Sequence, residues 1–356
     1  MKVYNFSAGP STLPQEVLLE AQKDFVDYQG TGMSVTEMSH RSKAYDAIHL
    51  EAIALLKKLM NINDDYDILF VQGGASTQFA AVPLNLLHTK ADYMVTGNFA
   101  KKAYEEATRF GDINVCGSSE DKNFTYIPEG KAVNIRKDTD YVHITQNNTI
   151  FGTRFIDLPD TLAPIVADMS SNILSEVFDV NKYGLIYAGA QKNIAPAGVT
   201  IVIVKKDLIN SPQAICPTML MYKTQAKANS LYNTPPCFSI YMAMLVFRWL
   251  EKLGGVKEIQ KINEYKSKIL YDFIDNSDIF QNPVENKFRS IMNVVFRTNN
   301  PDLDAKFVKE AAENGIVSIK GHKLVGGMRA SIYNAMPVEG VEHLIKFMKK
   351  FEMENK

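Results

Sequence analysis

Asp168 and Lys192 are the residues on which chemistry is most readily built. Asp168 closes the apolar run PIVAD and precedes MSSN; Lys192 follows GLIYAGAQ and precedes NIAPAG, 192 − 168 = 24 residues later. Both are therefore expected at the carboxyl ends of neighbouring strands, where an open α/β sheet holds its ligand. A lysine there can bond to an aldehyde cofactor, and a buried aspartate can keep a pyridine nitrogen protonated so that the ring takes up electrons. On the pair alone, two ordinary charges at polar strand ends account for the pattern at least as well.

Two further groups carry chemical potential. QGGAST, Gln72 to Thr77, is a glycine turn between a strand-like run and a helical pattern. The N–H groups near Ala75 and Ser76 at the helix start can cradle a phosphate, although a plain strand-to-helix turn has the same sequence features. It is neither GxGxxG nor a Walker loop, which argues against dinucleotide and NTPase sites. The second group is cationic: His40 and Arg41 in HRS, with His322, Lys323 and Arg329 in GHK…GGMRAS. Two arginine forks would hold a substrate with two anionic ends; singly, each is an ordinary surface charge. The six histidines form no HExxH and no metal spacing, so no metal site is expected. His49, His88 and His343 lie in helical patterns and read as structural.

The elements that must position these groups alternate. YDILFV (Tyr66 to Val71) precedes a helix expected over 75–88, and DYMVTG (Asp92 to Gly97) precedes one over 98–109. INVCG, YVHIT, PIVADM, GLIYAG and VTIVIV follow as short runs with few charges. Nearly continuous apolar strands between helices imply an α/β fold with a mainly parallel sheet covered on both faces. From Pro235 the texture changes to helices over 235–252 and 256–275, then SIMNVVFRT, a helix over 302–314, IVSIK, MRASIY and a last helix over 338–354. The expected division is a large unit, 16–254, and a smaller α+β unit, 255–356 with 1–15.

Composition narrows the function classes. In 356 residues there are 39 lysines and arginines against 40 aspartates and glutamates, a net charge of −1. That balance argues against a nucleic-acid or membrane-surface binder. Cys116, Cys216 and Cys237 form no CxxC and are too few for a disulfide scaffold. The start MKVYNFSAGP lacks a signal-like apolar run and nothing approaches a membrane span, so a cytoplasmic location is expected.

SAGP, HRS, QGGAS, ADMSSN, AQKN, NTPP and GGMRASIYNA, read in this order, are similar to the phosphoserine aminotransferase family of class V aminotransferases, which are fold-type I pyridoxal-phosphate enzymes. The similarity runs from Phe6 to about Asn334. It implies pyridoxal phosphate as cofactor, and a homodimer with active sites between two domains and at the subunit interface. It also implies reversible amino transfer from L-glutamate to 3-phosphohydroxypyruvate, giving O-phospho-L-serine and 2-oxoglutarate in serine biosynthesis. The related phosphorylated hydroxythreonine of pyridoxine synthesis is a second substrate to consider. By motif, Lys192 would carry the cofactor and shuttle the proton, and Asp168 would pair with the pyridinium nitrogen. Thr149 would lie at the cofactor's polar edge. Ala75, Ser76 and Gln191 would meet its phosphate, joined by Asn233 and Thr234 from the neighbouring subunit. Ser7, Arg41 and Arg329 would bind substrate anions, Arg329 taking the α-carboxylate, with His40 and His322 assisting Arg41.

Two positions depart from the family pattern. Phe99, in TGNFAKKA, stands where many members have a stacking tryptophan, and Ser76 stands where others have an arginine near the substrate phosphate. The phosphate clamp is therefore expected to rest on Arg41, His322 and Lys323. An alanine–glyoxylate or serine–pyruvate type of class V aminotransferase is the alternative, sharing the lysine and aspartate but not needing two anion clamps. A nicotinamide dehydrogenase would want an early GxGxxG, and a scaffold would leave Asp168 and Lys192 without a role.

Overall fold

The computed structural model describes residues 2–356. In chain order the first half contains β1 (Tyr4–Asn5), α1 (Gln15–Asp24), α2 (Lys43–Leu59), β2 (Tyr66–Val71), α3 (Gly74–Leu86), β3 (Lys90–Val95), α4 (Asn98–Ala107), β4 (Asp112–Ser118) and β5 (Val142–Thr145). Next come β6 (Asn147–Asn148), β7 (Thr153–Arg154), β8 (Ile165–Asp168), β9 (Leu185–Gly189), β10 (Thr200–Lys205) and α5 (Tyr222–Lys227). The chain ends with α6 (Cys237–Lys252), α7 (Val256–Asp275), β11 (Asn293–Phe296), α8 (Pro301–Glu313), β12 (Ile316–Val317), β13 (Met328–Ser331) and α9 (Val338–Asn355).

Seven strands form one sheet in the order β2-β10-β9-β8-β5-β3-β4. It is mainly parallel, as its apolar runs require; β10 alone runs antiparallel to both neighbours. Period-two alternation sends each strand's side chains to two different helical layers. Ile144, Ala167, Ile186, Ala188, Ile201 and Ile203 meet α2 and α6. Tyr141, Val166, Leu185, Tyr187, Val202 and Val204 meet α3 and α4. Because both faces are covered, β5, β8 and β9 are buried at every residue.

A second core gathers Phe280, Phe296, Phe307, Phe347 and Phe351 among α7, α8, α9, β11 and β13. The N-terminus takes part in it: β1 pairs in parallel with β12, and Phe6 is buried there. Beyond Phe6 the chain crosses to the first core's edge, where the Ser11 N–H donates to the Gln191 carbonyl at 3.0 Å. Among the described residues no helix is long and apolar enough to cross a membrane.

Two expectations are corrected. α3 stops at Leu86, and His88 lies in the following turn rather than in a helix. The Asp140 carboxylate there accepts the N–H groups of His88, Thr89 and Lys90 and offers the backbone partners a further helical turn would have needed. The run IVSIK is strand only at Ile316–Val317, since Ser318 adopts a left-handed φ of 61°.

Phe307 is fully buried, its ring centroid 5.0 to 5.8 Å from those of Phe280, Phe296, Phe347 and Phe351. Phe307→Ala should cost about 3–5 kcal/mol in denaturant unfolding. A loss below ~1 kcal/mol would contradict this packing.

Candidate active site

The registers put the chemistry at one edge of the sheet. Thr200 pairs with both Val71 and Gly189, so the carboxyl ends of β2 and β9 lie on one row. Asp168, the last residue of β8, pairs with Tyr187 of β9 and Thr145 of β5. Lys192 follows β9 in a tight turn whose Lys192 N–H donates to the Ala190 carbonyl at 2.8 Å. The Ser11 hydroxyl donates to the Lys192 carbonyl, and a Cβ at Gly9 would stand 3.2 Å from Lys192 Cγ. The SAGP segment therefore walls one side of the lysine, with glycine where contact is closest.

Lys192 Nζ donates to Thr149 Oγ1 at 2.9 Å and lies 5.8 Å from the centre of the Phe99 ring. Thr149 follows β6, whose Asn148 amide donates to the hydroxyls of Thr96 and Thr153. Gly97 admits this approach, because a Cβ there would sit 2.4 Å from Asn148 Oδ1. Arg329, on β13, donates through Nη1 to the Thr149 carbonyl at 3.2 Å. Thr149 is thus held between the lysine of one core and the arginine of the other.

Asp168 is 5% exposed, and burial raises its pKa; Lys192, Ser170 and Tyr187 oppose the rise. The Ser170 N–H donates to its carboxylate at 2.9 Å. Burial also lowers the Lys192 ammonium to about 8, with Arg329 acting the same way and Asp168 opposing. Arg329 and His322 are lowered by desolvation, and His322 further by Arg329, Lys323 and Lys102. Among the described residues no carboxylate pairs with Arg329 or His322. Cations gathered without matching anions form a site for an anionic ligand.

α3 begins after Gly73, at φ 96°, with no side-chain cap, so the first-turn N–H groups of Gly74, Ala75 and Ser76 are offered to a ligand. The structure thus assembles Asp168, Lys192, Gln191, Thr149, Phe99, Arg329, His322, Ala75 and Ser76 along one edge. Their donor set fits an aromatic aldehyde with a ring nitrogen and a phosphate. Ser7 is on the crossing segment, where its hydroxyl accepts from the Gly9 N–H at 3.4 Å. Asn233 and Thr234 lie beside the same chain's glycine turn: the Gln72 amide donates to the Thr234 carbonyl at 3.3 Å. His40 and Arg41 are not brought in. Arg41 is exposed and His40 Nε2 is buried without a partner, and among the described residues neither makes a hydrogen bond or ion pair to Lys192, His322 or Arg329.

Sequence reading missed several residues around this edge. Tyr187 stands across from Asp168 in register, and His143 Nε2 lies 2.9 Å from the Tyr187 hydroxyl. Both fall at alternate positions of apolar runs, on the same face as Asp168, a relation that needs strand register to see. Tyr333 and Asn334 were also hidden. The Tyr333 hydroxyl donates to the Ala8 carbonyl at 2.9 Å, and the Asn334 N–H to Asn193 Oδ1 at 3.0 Å. Buried Lys266 holds that loop by donating to the carbonyls of Ile332, Tyr333 and Met336; desolvation lowers it to about 7. Among the described residues no three His, Cys, Asp or Glu side chains cluster as a metal site would require.

Comparison with known proteins gives this arrangement a family. The class V aminotransferase model matches residues 3–344. A phosphoserine aminotransferase of Bacillus cereus is 55% identical over 358 residues, covering all of this chain and 99% of that protein. One from Listeria monocytogenes is 55% identical over 353 residues, 98% of this chain and 96% of its own. The solved phosphoserine aminotransferase of Bacillus circulans subsp. alkalophilus superposes with a TM-score of 0.98 at 48% identity, covering 100% of this chain and 99% of that one. The pyridoxal-phosphate-bound enzyme of Trichomonas vaginalis superposes at 0.95 and 39% identity, over 98% and 100% of the two chains. This chain belongs to the class V aminotransferase family, in its phosphoserine aminotransferase branch.

The Lys192 shift has a stability consequence. Its folded value, about 8, is below the ordinary 10.5, so the unfolded chain binds more protons between them. Folding is penalised fully below the lower value, and the penalty fades as pH rises through the window. Cofactor-free Lys192→Met should therefore unfold at a higher denaturant midpoint than wild type at neutral pH, the gain shrinking toward pH 10.5. An equal or lower midpoint at neutral pH would contradict a desolvated ammonium.

Proposed function

We propose that this protein transfers the amino group of L-glutamate to 3-phosphohydroxypyruvate with pyridoxal phosphate as cofactor, yielding O-phospho-L-serine and 2-oxoglutarate. The reading places it in the cytoplasm as a homodimer, with its large unit over 16–254 and its small unit over 255–356 plus 1–15. One observation carries it: a desolvated lysine sits between Thr149 and Phe99 and shares its electrostatic environment with a buried aspartate and an arginine. When bound, pyridoxal phosphate supplies an aldehyde for the amino group and a ring that accepts the electron pair left at Cα.

This chain's residues do the rest. Lys192 would hold the cofactor through its aldehyde, and its side-chain amine, when free, would be the base that carries the Cα proton. An ammonium lowered to about 8 releases and takes that proton near neutral pH at little energetic cost. Asp168, kept dry, would stabilise positive charge on the ring nitrogen. Phe99 would supply an apolar face for the ring, and the α3 N-terminus with Gln191 would hold the phosphate. Arg329 takes the α-carboxylate that every substrate carries, with Ser7 close by on the crossing segment. Arg41 and His40 act on the distal anion together with His322. Because nothing in one chain brings Arg41 to Lys192, the reading assigns it to the neighbouring subunit's site, alongside Asn233 and Thr234. Pro235 and Pro236 stiffen the approach of that last pair.

Two experiments test this. The protein should show a visible band that borohydride abolishes, with the pyridoxyl group mapped to Lys192; a label on another lysine would refute the assignment. The second compares kcat/KM on 3-phosphohydroxypyruvate, glutamate and pyruvate. Losing a desolvated, charge-assisted arginine contact should cost on the order of 10- to 100-fold. Arg329→Ala should lose that on all three, whereas Arg41→Ala should spare pyruvate. Equal losses for Arg41→Ala across the panel would sink the division of roles.

A further inference from the structure

We propose that Tyr187 and His143 form a neutral hydrogen-bond relay behind Asp168 that sets how tightly this carboxylate holds a proton. They are thereby positioning residues for the reaction proposed above, on whose cofactor reading this inference rests. The three side chains stand on adjacent strands and on one face of the sheet. Asp168 pairs with Tyr187 across β8 and β9, and His143 sits two residues before Thr145, which pairs with Asp168 across β5 and β8. All three are buried, Tyr187 and His143 almost completely. The Tyr187 oxygen is 2.9 Å from His143 Nε2, and register sets Tyr187 beside Asp168, the carboxylate to which the relay has its phenol donate.

Proton accounting fixes the direction. Tyr187 has one proton to donate. If His143 carried its hydrogen on Nδ1, Tyr187 would have to donate to Nε2 and would leave Asp168 unserved. It would also strand a buried N–H, because His143 Nδ1 has no partner. With the hydrogen on Nε2, the imidazole donates to Tyr187 and the phenol is free to donate to Asp168, leaving only a lone pair unmatched. The ring is clamped by Tyr93, stacked at 4.6 Å and 12°. Desolvation pushes its pKa to about 3, so it stays neutral. Among the described residues no charged side chain acts on the imidazole; Tyr93 and Tyr222 are the titratable neighbours of Tyr187 apart from Asp168. Lys192 and Ser170 complete the surroundings of the carboxylate.

Burial makes Asp168 too willing to take a proton, and a proton taken by Asp168 is one the cofactor's ring nitrogen gives up. Two neutral donors in series correct this without placing a second charge in the core. Removing the phenol should shift the shared proton from the ring nitrogen toward Asp168.

The test reconstitutes the protein with isotope-labelled pyridoxal phosphate and reads the ring-nitrogen chemical shift by NMR beside steady-state kinetics. Wild type should show a protonated nitrogen. Tyr187→Phe should move the shift toward the unprotonated value and lower kcat about tenfold, corresponding to about one pKa unit, with KM for the keto acid changed less than about twofold. His143→Phe should act in the same direction but less, and His143→Gln, which keeps a donor, should return the shift to wild type. If Tyr187→Phe folds poorly, the two His143 variants decide the matter alone. Tyr93→Phe deletes an equally buried hydroxyl that contacts Tyr141 outside the relay, and should leave the shift unchanged. A wild-type shift in Tyr187→Phe, or in His143→Phe, would overturn the relay; so would a displaced shift in Tyr93→Phe. Wild-type protein that binds no pyridoxal phosphate would overturn the cofactor reading and the relay with it.

Discussion

The site depends on keeping opposite charges dry without letting them neutralise each other. Asp168 and Lys192 attract across the end of the sheet, but burial opposes the charged form of each. A direct contact would satisfy both and leave nothing for a ligand. Instead Lys192 donates to the neutral Thr149 hydroxyl, and Asp168 accepts from the Ser170 N–H. No ion pair joins the two, so both stay available to a ligand with a basic ring nitrogen and an aldehyde. Arg329 and His322 extend the same logic outward, as cations without acidic partners.

Holding that gap open requires both cores. Lys192 and Asp168 belong to the seven-stranded sheet, while Arg329 stands on β13 of the second core. Buried contacts tie them, among them Asn334 to Asn193 and to the Leu174 carbonyl, Asn263 to the Ser175 carbonyl, and Asn147 to Asn293. Lys266 fastens the Tyr333–Asn334 loop from below with three carbonyl contacts. Such a network is costly to leave half-satisfied, which favours a single arrangement of the two cores. The N-terminal segment closes the circuit, one end paired with β12 and the other laid against the lysine turn.

Much of the fold was legible because its signals are local. Tyr66–Val71 and Val256–Asp275 were delimited to the residue, since an apolar run bounded by a glycine turn and an amphipathic run following Gly254-Gly255 are written in consecutive residues. The strand-end placement of Asp168 and Lys192 followed from the same pattern. What stayed hidden depends on register or on long-range contact. His143 in YVHIT looks like any polar residue in a strand until β5, β8 and β9 are aligned. Asp140, fifty-two residues from His88, ends α3 by a contact no local rule encodes. His40 and Arg41 carry motif information, but a single chain does not bring them to Lys192.

The central claim is that Lys192 and Asp168 run two separate half-reactions through one bound cofactor. Mixing the holoenzyme with L-glutamate alone and quenching on the millisecond-to-second scale tests this most directly. The account predicts one 2-oxoglutarate released per site in the absence of any keto acid. Adding 3-phosphohydroxypyruvate after removal of excess glutamate should then yield one O-phospho-L-serine per site. Release of 2-oxoglutarate only when both substrates are present together would contradict it.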